Sequence, residues 1–321
     1  MAEDSGEGVI DGQLILKTGS GSGLADLDVI LIFYTDEMDK ETQTTKTDAQ
    51  GKFEFIDLGI DKEYMLSVYY EGIDYYYPVV LSDGNTRVSI ELSVFGTTAS
   101  DVKIKSALNH IIIYVEEESV SVTEVFLLIN DGDRTYVGAE EIAAGEKQAS
   151  LVFTLPEGAT DFYASSELMQ DFILLDNNEV ADTLPFPPGE RQLVYSYKVA
   201  KEISSDFTLN LIIDYPTDMI EVMVQDADIE VASTLLRPEG PTDSSTGEKF
   251  LRFSGENLIR GDTVDISISS LSGSNGAIPT IVWFIAGVVI LGISIYMVKR
   301  KRTHIIISGV GNNGDDVEVQ E

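Results

Sequence analysis

The chain has 321 residues, with 21 basic against 55 acidic side chains, a formal charge of −34 and no cysteine. A surface of that sign repels nucleic acid and anionic lipid headgroups, which argues against DNA or RNA binding. The missing cysteines exclude disulfide staples, thiolate catalysis and Cys-based zinc or iron–sulfur sites, so stability must come from apolar cores, which a hydrophobic content of 43% can supply.

Residues 1–8 are polar and read as a disordered N-terminus. MAEDSGEGVI carries neither the basic n-region nor the apolar h-region of an export signal. The expectation is that such a signal was removed or lies upstream, with the mature chain beginning close to Glu3; the alternative is a tail-anchored protein with the acidic units in the cytoplasm. Residues 9–95 form the first expected unit. Arg87–Val94 alternates strictly between polar and apolar residues, the pattern of a strand with one buried face. Val29–Tyr34 is a continuous apolar run, expected to be buried on both faces. Asp48-Ala49-Gln50-Gly51 predicts a hairpin turn in which Gly51 supplies the positive φ, with Phe53 and Phe55 turned inward and Lys52 and Glu54 facing water. Gly12-Gln13-Leu14, Val29–Phe33, Thr47–Phe55, Leu58, Tyr64–Val68 and Gly72 together resemble the carboxypeptidase regulatory-like domain. That family is a prealbumin-like β-sandwich related to the Cna-B modules of surface proteins. The resemblance implies an accessory module without catalytic residues.

Residues 96–271 continue the alternation. Leu193, Tyr195, Tyr197 and Val199 predict one strand; Phe207, Leu209, Leu211, Ile213 and Tyr215 a second; Val264, Ile266 and Ile268 a third. Val125–Ile129 reads as a strand buried on both faces. Asp83-Gly84-Asn85, Asn130–Asp133, Pro187-Pro188-Gly189 and Arg260-Gly261-Asp262 are turn signals. Many short strands at close spacing predict an all-β chain of tandem β-sandwich domains: a second sandwich over 96–200 and a third β-rich unit over 201–271, unless the third merges with the second. Asn130–Tyr136, Phe153–Ala159 and Pro187–Tyr197 resemble membrane-anchored bacterial proteins in which a regulatory-like domain precedes a β-rich region and one span. That likeness implies an architecture and no activity.

A short linker, 272–277, leads to Ile278–Val298, which is uncharged and carries Trp283 near one end and Tyr296 near the other. As a helix it would rise about 31 Å, enough to cross a hydrocarbon core, with the aromatics at interface depth. Lys299, Arg300, Lys301 and Arg302 follow directly. The positive-inside rule puts them in the cytoplasm, so the expectation is a single-pass protein of the cell membrane with extracytoplasmic N-terminal domains. The cytoplasmic tail, 299–321, is too short to fold.

The chain has two histidines, His110 and His304. His304 lies in the tail, and His110 reads as the polar start of the strand Ile111-Ile112-Ile113. No Gly-x-Ser-x-Gly elbow, phosphate loop or dinucleotide fingerprint appears, so no catalytic residue is expected. A glycosidase, needing only two carboxylates, is the enzyme class the acidic composition leaves open. The acidic loops Asp36-Glu37-Met38-Asp39, Asn130–Asp133 and Asp176–Glu179 offer hard oxygen ligands. No cofactor is expected, with a weak structural calcium site in these loops as the alternative. Tyr69, Tyr70, Tyr75, Tyr76 and Tyr77 are the candidate surface for a sugar or a protein partner, set against ordinary cross-strand packing. The expected function is therefore a non-enzymatic, membrane-anchored binding, scaffold or accessory protein of the cell envelope that contacts lipid and envelope proteins, with a carbohydrate-binding surface module as the alternative.

Overall fold

The computed structural model describes residues 8–19, 23–35, 39–139, 148–164, 171–175, 177–201, 206–225, 229–244, 247–270 and 306–308. The expected span and linker, most of the tail, Asp36-Glu37-Met38 and Asp176 lie outside them. No helix among the described residues is long and apolar enough to cross a membrane.

The architecture is all-β and sandwich-like, with several sheets. The first unit contains β1 (Gly8–Leu16), β2 (Asp28–Tyr34), β3 (Lys40–Lys46), β4 (Lys52–Leu58), β5 (Lys62–Tyr70), β6 (Ile73–Leu81) and β7 (Arg87–Val94). One sheet runs β4-β1-β7, and the second runs β6-β5-β2-β3. The two face each other across one core. Ile10, Leu14, Phe53, Phe55 and Leu92 come from the first sheet, and Val29, Leu31, Leu66, Val68, Tyr75 and Tyr77 from the second. Alternation explains the choice, because every second side chain of a strand points to the same face. The run in β2 obeys it too: Val29 and Leu31 are fully buried, whereas Ile30, Ile32 and Phe33 are only partly so.

The turn expected at Asp48 forms but does not make a hairpin. Gly51 has φ 76°, its N–H donates to the Asp48 carbonyl at 2.9 Å, and Asp48 Oδ1 accepts from the N–H groups of Gln50 and Lys52 at 2.8 Å each. Yet β3 pairs with β2, while β4 pairs with β1. The chain crosses between sheets here, because β4 has Phe53 and Phe55 to bury whereas β3, KETQTTK, has no apolar side chain and is suited to an exposed edge.

The second region contains β8 (Thr97–Thr98), β9 (Ile104–Val115), β10 (Ser119–Asn130), β11 (Thr135–Tyr136), β12 (Leu151–Thr154), β13 (Ala159–Ala164), β14 (Phe172–Leu174), β15 (Glu179–Asp182), β16 (Gly189–Ala200), β17 (Phe207–Ile212), β18 (Thr217–Gln225), β19 (Ile229–Ala232), β20 (Arg237–Asp243), β21 (Lys249–Leu258) and β22 (Thr263–Ser270). A seven-stranded sheet runs β13-β16-β10-β9-β18-β21-β20, and two three-stranded sheets run β12-β15-β14 and β17-β22-β19. All three contribute to one core, through residues such as Val122, Tyr197 and Val222 on the large sheet, Phe153 and Val180 on one small sheet, and Leu209 and Ile266 on the other. The boundary expected near residue 201 therefore does not divide two cores. β18 lies beside β9 as a parallel neighbour, so strands on either side of that boundary share a sheet and a hydrophobic interior. Nothing in strand periodicity reports which strands will be neighbours, and a parallel pair far apart in sequence is hidden from it.

A hydrogen-bonded joint fixes the first unit to the second. Beside it, β8 and β11 of the second region pair in parallel. The Gly96 N–H donates to Thr18 Oγ1 at 2.9 Å, and Thr18 Oγ1 donates to the Asp133 carbonyl at 2.5 Å. Tyr75 Oη donates to the Phe95 carbonyl at 3.0 Å and shares a hydrogen bond with Thr135 Oγ1 at 2.9 Å. Asn130 holds the far side of the joint, donating from Nδ2 to the carbonyls of Arg134 and Phe186 at 2.9 and 2.8 Å. A last strand, β23 (Ile306–Ser308), lies antiparallel along the outer edge of β6, with Ile306 opposite Tyr76 and Ser308 opposite Asp74.

Candidate functional site

The tyrosine surface expected from the sequence is largely interior. In β6, Ile73, Tyr75, Tyr77, Val79 and Leu81 form the inward row, and Tyr75 and Tyr77 are 0% and 1% exposed. Tyr77 Oη donates to the Ser93 carbonyl, and Tyr75 is built into the joint. Tyr69 is the one ring of the five that stands out, at 57% exposed, while Tyr70 and Tyr76 are half-buried. A stacking platform of Tyr75, Tyr76 and Tyr77 is thus not formed, because strand alternation turns the first and third of them into the core. Cross-strand packing accounts for them.

The polar side chains that the fold does bring together lie in the second core. The inward row of β10 reads Val120, Val122, Glu124, Phe126, Leu128, so a carboxyl group occupies a position flanked by apolar ones. Glu124 Oε1 accepts from Tyr197 Oη at 2.9 Å, and Oε2 accepts from Asn109 Nδ2 at 3.2 Å. Burial penalises its charge more than those two donors favour it, and pushes its pKa up to about 7. Asn109 Oδ1 is buried and has no hydrogen-bond partner.

Glu124 and Asn109 line a cavity that also meets Ser106, Thr217, Tyr195 and Asp214, with about 10 Å³ available to the centre of a water molecule. Asp214 is more exposed than Glu124. Its Oδ1 accepts from Thr154 Oγ1 at 2.8 Å and its Oδ2 from the Thr154 N–H at 2.9 Å, yet burial still raises its pKa above the usual carboxylate value. Beside it, Arg260 donates from Nε to the Asp214 carbonyl at 2.6 Å and from a terminal nitrogen to Asp101 Oδ2 at 2.6 Å. Sequence reading missed this cluster, although the signal was present: counting in twos from Val120 lands on Glu124.

His110 lies within β9, which begins well before it, so it is not the strand start expected from the sequence. Its Nδ1 is 3.2 Å from Glu221 Oε2, and this hydrogen bond holds the Glu221 carboxyl below its usual pKa. Of the acidic loops, Asn130 is occupied by structural hydrogen bonds, its Oδ1 accepting from the Gly132 N–H at 3.0 Å. Among the described residues, no three His, Cys, Asp or Glu side chains gather as a metal-holding group.

No protein-family model matches the chain, and no curated protein does. Solved structures with a likeness include a two-domain M1 zinc metallopeptidase mutant bound to L-tryptophan, at 12% identity over 57% of this chain and 52% of that one, with a TM-score of 0.34. Another is an M1 zinc metallopeptidase mutant from Deinococcus radiodurans bound to a Tyr-Ser-Ala substrate, at 10% identity over 57% and 52% of the two chains, with a TM-score of 0.32. The chain spans about half the length of these structures, and a likeness at that score carries no argument about activity.

Proposed function

We propose that this chain is a non-enzymatic, single-pass membrane protein whose tandem β-sandwich units stand outside the cell as a scaffold or accessory subunit of the envelope. In this reading the first unit is a regulatory-like module. The observation that carries it is the uncharged run Ile278–Val298 closed by Lys299–Arg302, the densest positive charge in a strongly acidic chain. The hydrogen-bonded joint supports a scaffold role, since it holds the two units as one body that can transmit position from the membrane to a partner.

The pairing of β23 with β6 favours a second reading, in which the tail and the sandwich units lie on the same side and residues 278–298 do not cross. The absence of native cysteine allows a direct test. Val102, 79% exposed, and Asn313 in the tail are each replaced by cysteine in otherwise unaltered chains. A membrane-impermeant maleimide is then applied to intact cells. The proposed topology requires Val102→Cys to label at once and Asn313→Cys only after permeabilisation. Labelling of both in intact cells would establish the second reading.

A further inference from the structure

We propose that the outward face of the seven-stranded sheet is where two copies of this chain meet. Its inward face is covered by the two three-stranded sheets, through Ile111, Val122 and Val222. Strand pairing lays a second set of side chains in register on the other face. Ser196, Thr123, Ile112, Met223 and Arg252 are successive partners across β16, β10, β9, β18 and β21. In the next row on that face, Val194, Val125, His110 and Glu221 are partners across the first four of these strands. Ile112, Val125, Val194 and Met223 belong to neither hydrophobic core. The sequence asks for cover on both sides here: Ile111–Ile113 and Val125–Ile129 are apolar at every position, the composition of strands enclosed between two layers. Among the described residues, strands supply a covering layer on the inward face only.

Charge and area select a second copy as the occupant. With 55 acidic side chains against 21 basic ones, two copies meeting at an average patch of surface repel each other. This face does not. The charged groups of the two rows are Glu221 and Arg252, which pair at 3.5 Å, with His110 Nδ1 3.2 Å from the same carboxyl. Three acids at its border are each matched by a base: Glu116 by Lys198, Asp218 by Lys105 and Glu256 by Arg237. Seven strands about 4.8 Å apart span about 30 Å, and the nine residues of β18 at about 3.3 Å each span about the same, so the face measures about 900 Å². A standard interface takes ~800 Å² from each partner. Two such faces pack as sheet on sheet, in the isologous arrangement of a two-fold dimer. The inference does not depend on the side of the membrane on which the units lie.

The test uses the full chain in mild detergent, with its mass measured by sedimentation at several concentrations. Two chains per particle are expected, separating on dilution. Thr123→Glu and Ser196→Glu each place a carboxylate on the outward face of both copies, at positions that are already polar and half-buried. Either should raise the dissociation constant by more than about tenfold, because like charges brought together in an interface are strongly unfavourable. Circular dichroism checks that they fold, and Ser196→Glu serves if Thr123→Glu does not. Ile56→Glu adds the same charge at a position of β4 that is 57% exposed, and should leave the dimer intact. A wild type with one chain per particle overturns the inference, since the face would then be open or covered by something other than a second copy. A dimer that Thr123→Glu and Ser196→Glu leave intact also overturns it, by placing the contact in the span or on another face. So does equal dissociation by Ile56→Glu, which would make the effect one of net charge.

Discussion

Glu124 should make the stability of this protein fall as pH rises through the neutral range. Its pKa moves from 4.5 to about 7 on folding, with burial as the largest cause. Below pH 4.5 the carboxyl is protonated in both the folded and unfolded states and costs nothing. Between 4.5 and 7 the unfolded chain loses the proton first, so unfolding releases a proton and stability declines with rising pH. Above 7 both states are ionised and the penalty is complete. At 1.36 kcal/mol per pKa unit, the total is about 3 kcal/mol. Glu124→Gln keeps an oxygen to accept from Tyr197 and removes the charge. Its amide can also face Asn109 Oδ1 once the Asn109 amide turns over. Urea unfolding of both full chains, with EDTA present and at several pH values from 5 to 8, gives the difference in stability between them. The other carboxylates cancel in that difference. The variant should gain on the wild type as pH rises, by about 2.5 kcal/mol between pH 5 and 8, because part of the total is already lost at pH 5. A difference that does not change with pH would refute the reasoning, because it would mean that Tyr197 and Asn109 fully offset the desolvation of the carboxylate.

Two further outcomes follow from buried contacts. Asp182 is 2% exposed and accepts from Arg191 at 3.0 Å, while the same guanidinium lies 4.6 Å from the Phe186 ring centre and donates to the carbonyls of Leu184 and Pro185. Arg191→Met should cost about 3–5 kcal/mol in urea unfolding, the usual result of removing one member of a buried ion pair; a loss under 1 kcal/mol would show the pair to be solvated. Tyr75→Phe removes the hydroxyl bonded to Phe95 and Thr135 and should cost about 1 kcal/mol, with faster proteolysis at the joint, whereas Tyr69→Ala, on an exposed ring, should stay within about 0.5 kcal/mol of wild type.

The individual strands were legible in the sequence wherever one face is apolar. Arg87–Val94 is a strand with the expected bounds, and the alternation from Leu193 to Val199 falls inside β16. Partners were not legible. The turn at Asp48–Gly51 has the right residues for a hairpin and instead carries the chain between sheets, because local turn chemistry sets a reversal and the apolar content of the flanking strands selects what they pair with. The parallel contact of β18 with β9 is of the same kind. Glu124 escaped notice because Val125–Ile129 is apolar at every position, which masks the inward row that runs through its even-numbered members. Alternation requires some of the five tyrosines from Tyr69 to Tyr77 to face outward but does not say which, and only the register of β6 puts Tyr75 and Tyr77 inside.

The span and the β6 edge make opposite demands on the tail, and their magnitudes rank them. Residues 278–298 contain twelve Ile, Leu, Val and Phe side chains; at 0.3–0.6 kcal/mol each, insertion gains about 4–7 kcal/mol from these alone. The pairing of β23 covers three residues opposite Asp74–Tyr76. Its few hydrogen bonds are worth about 1 kcal/mol apiece, while ordering each residue costs about 1–2 kcal/mol, so the net gain is close to zero. Pro78 prevents the ladder from growing far along β6, because it has no N–H to donate and is tolerated only where a strand edge is open. These magnitudes rank the proposed membrane topology above the edge pairing. On the proposed topology, β6 would keep a short accepting stretch at Asp74–Tyr76, and the exposed ring of Tyr69 stands on the strand paired with it.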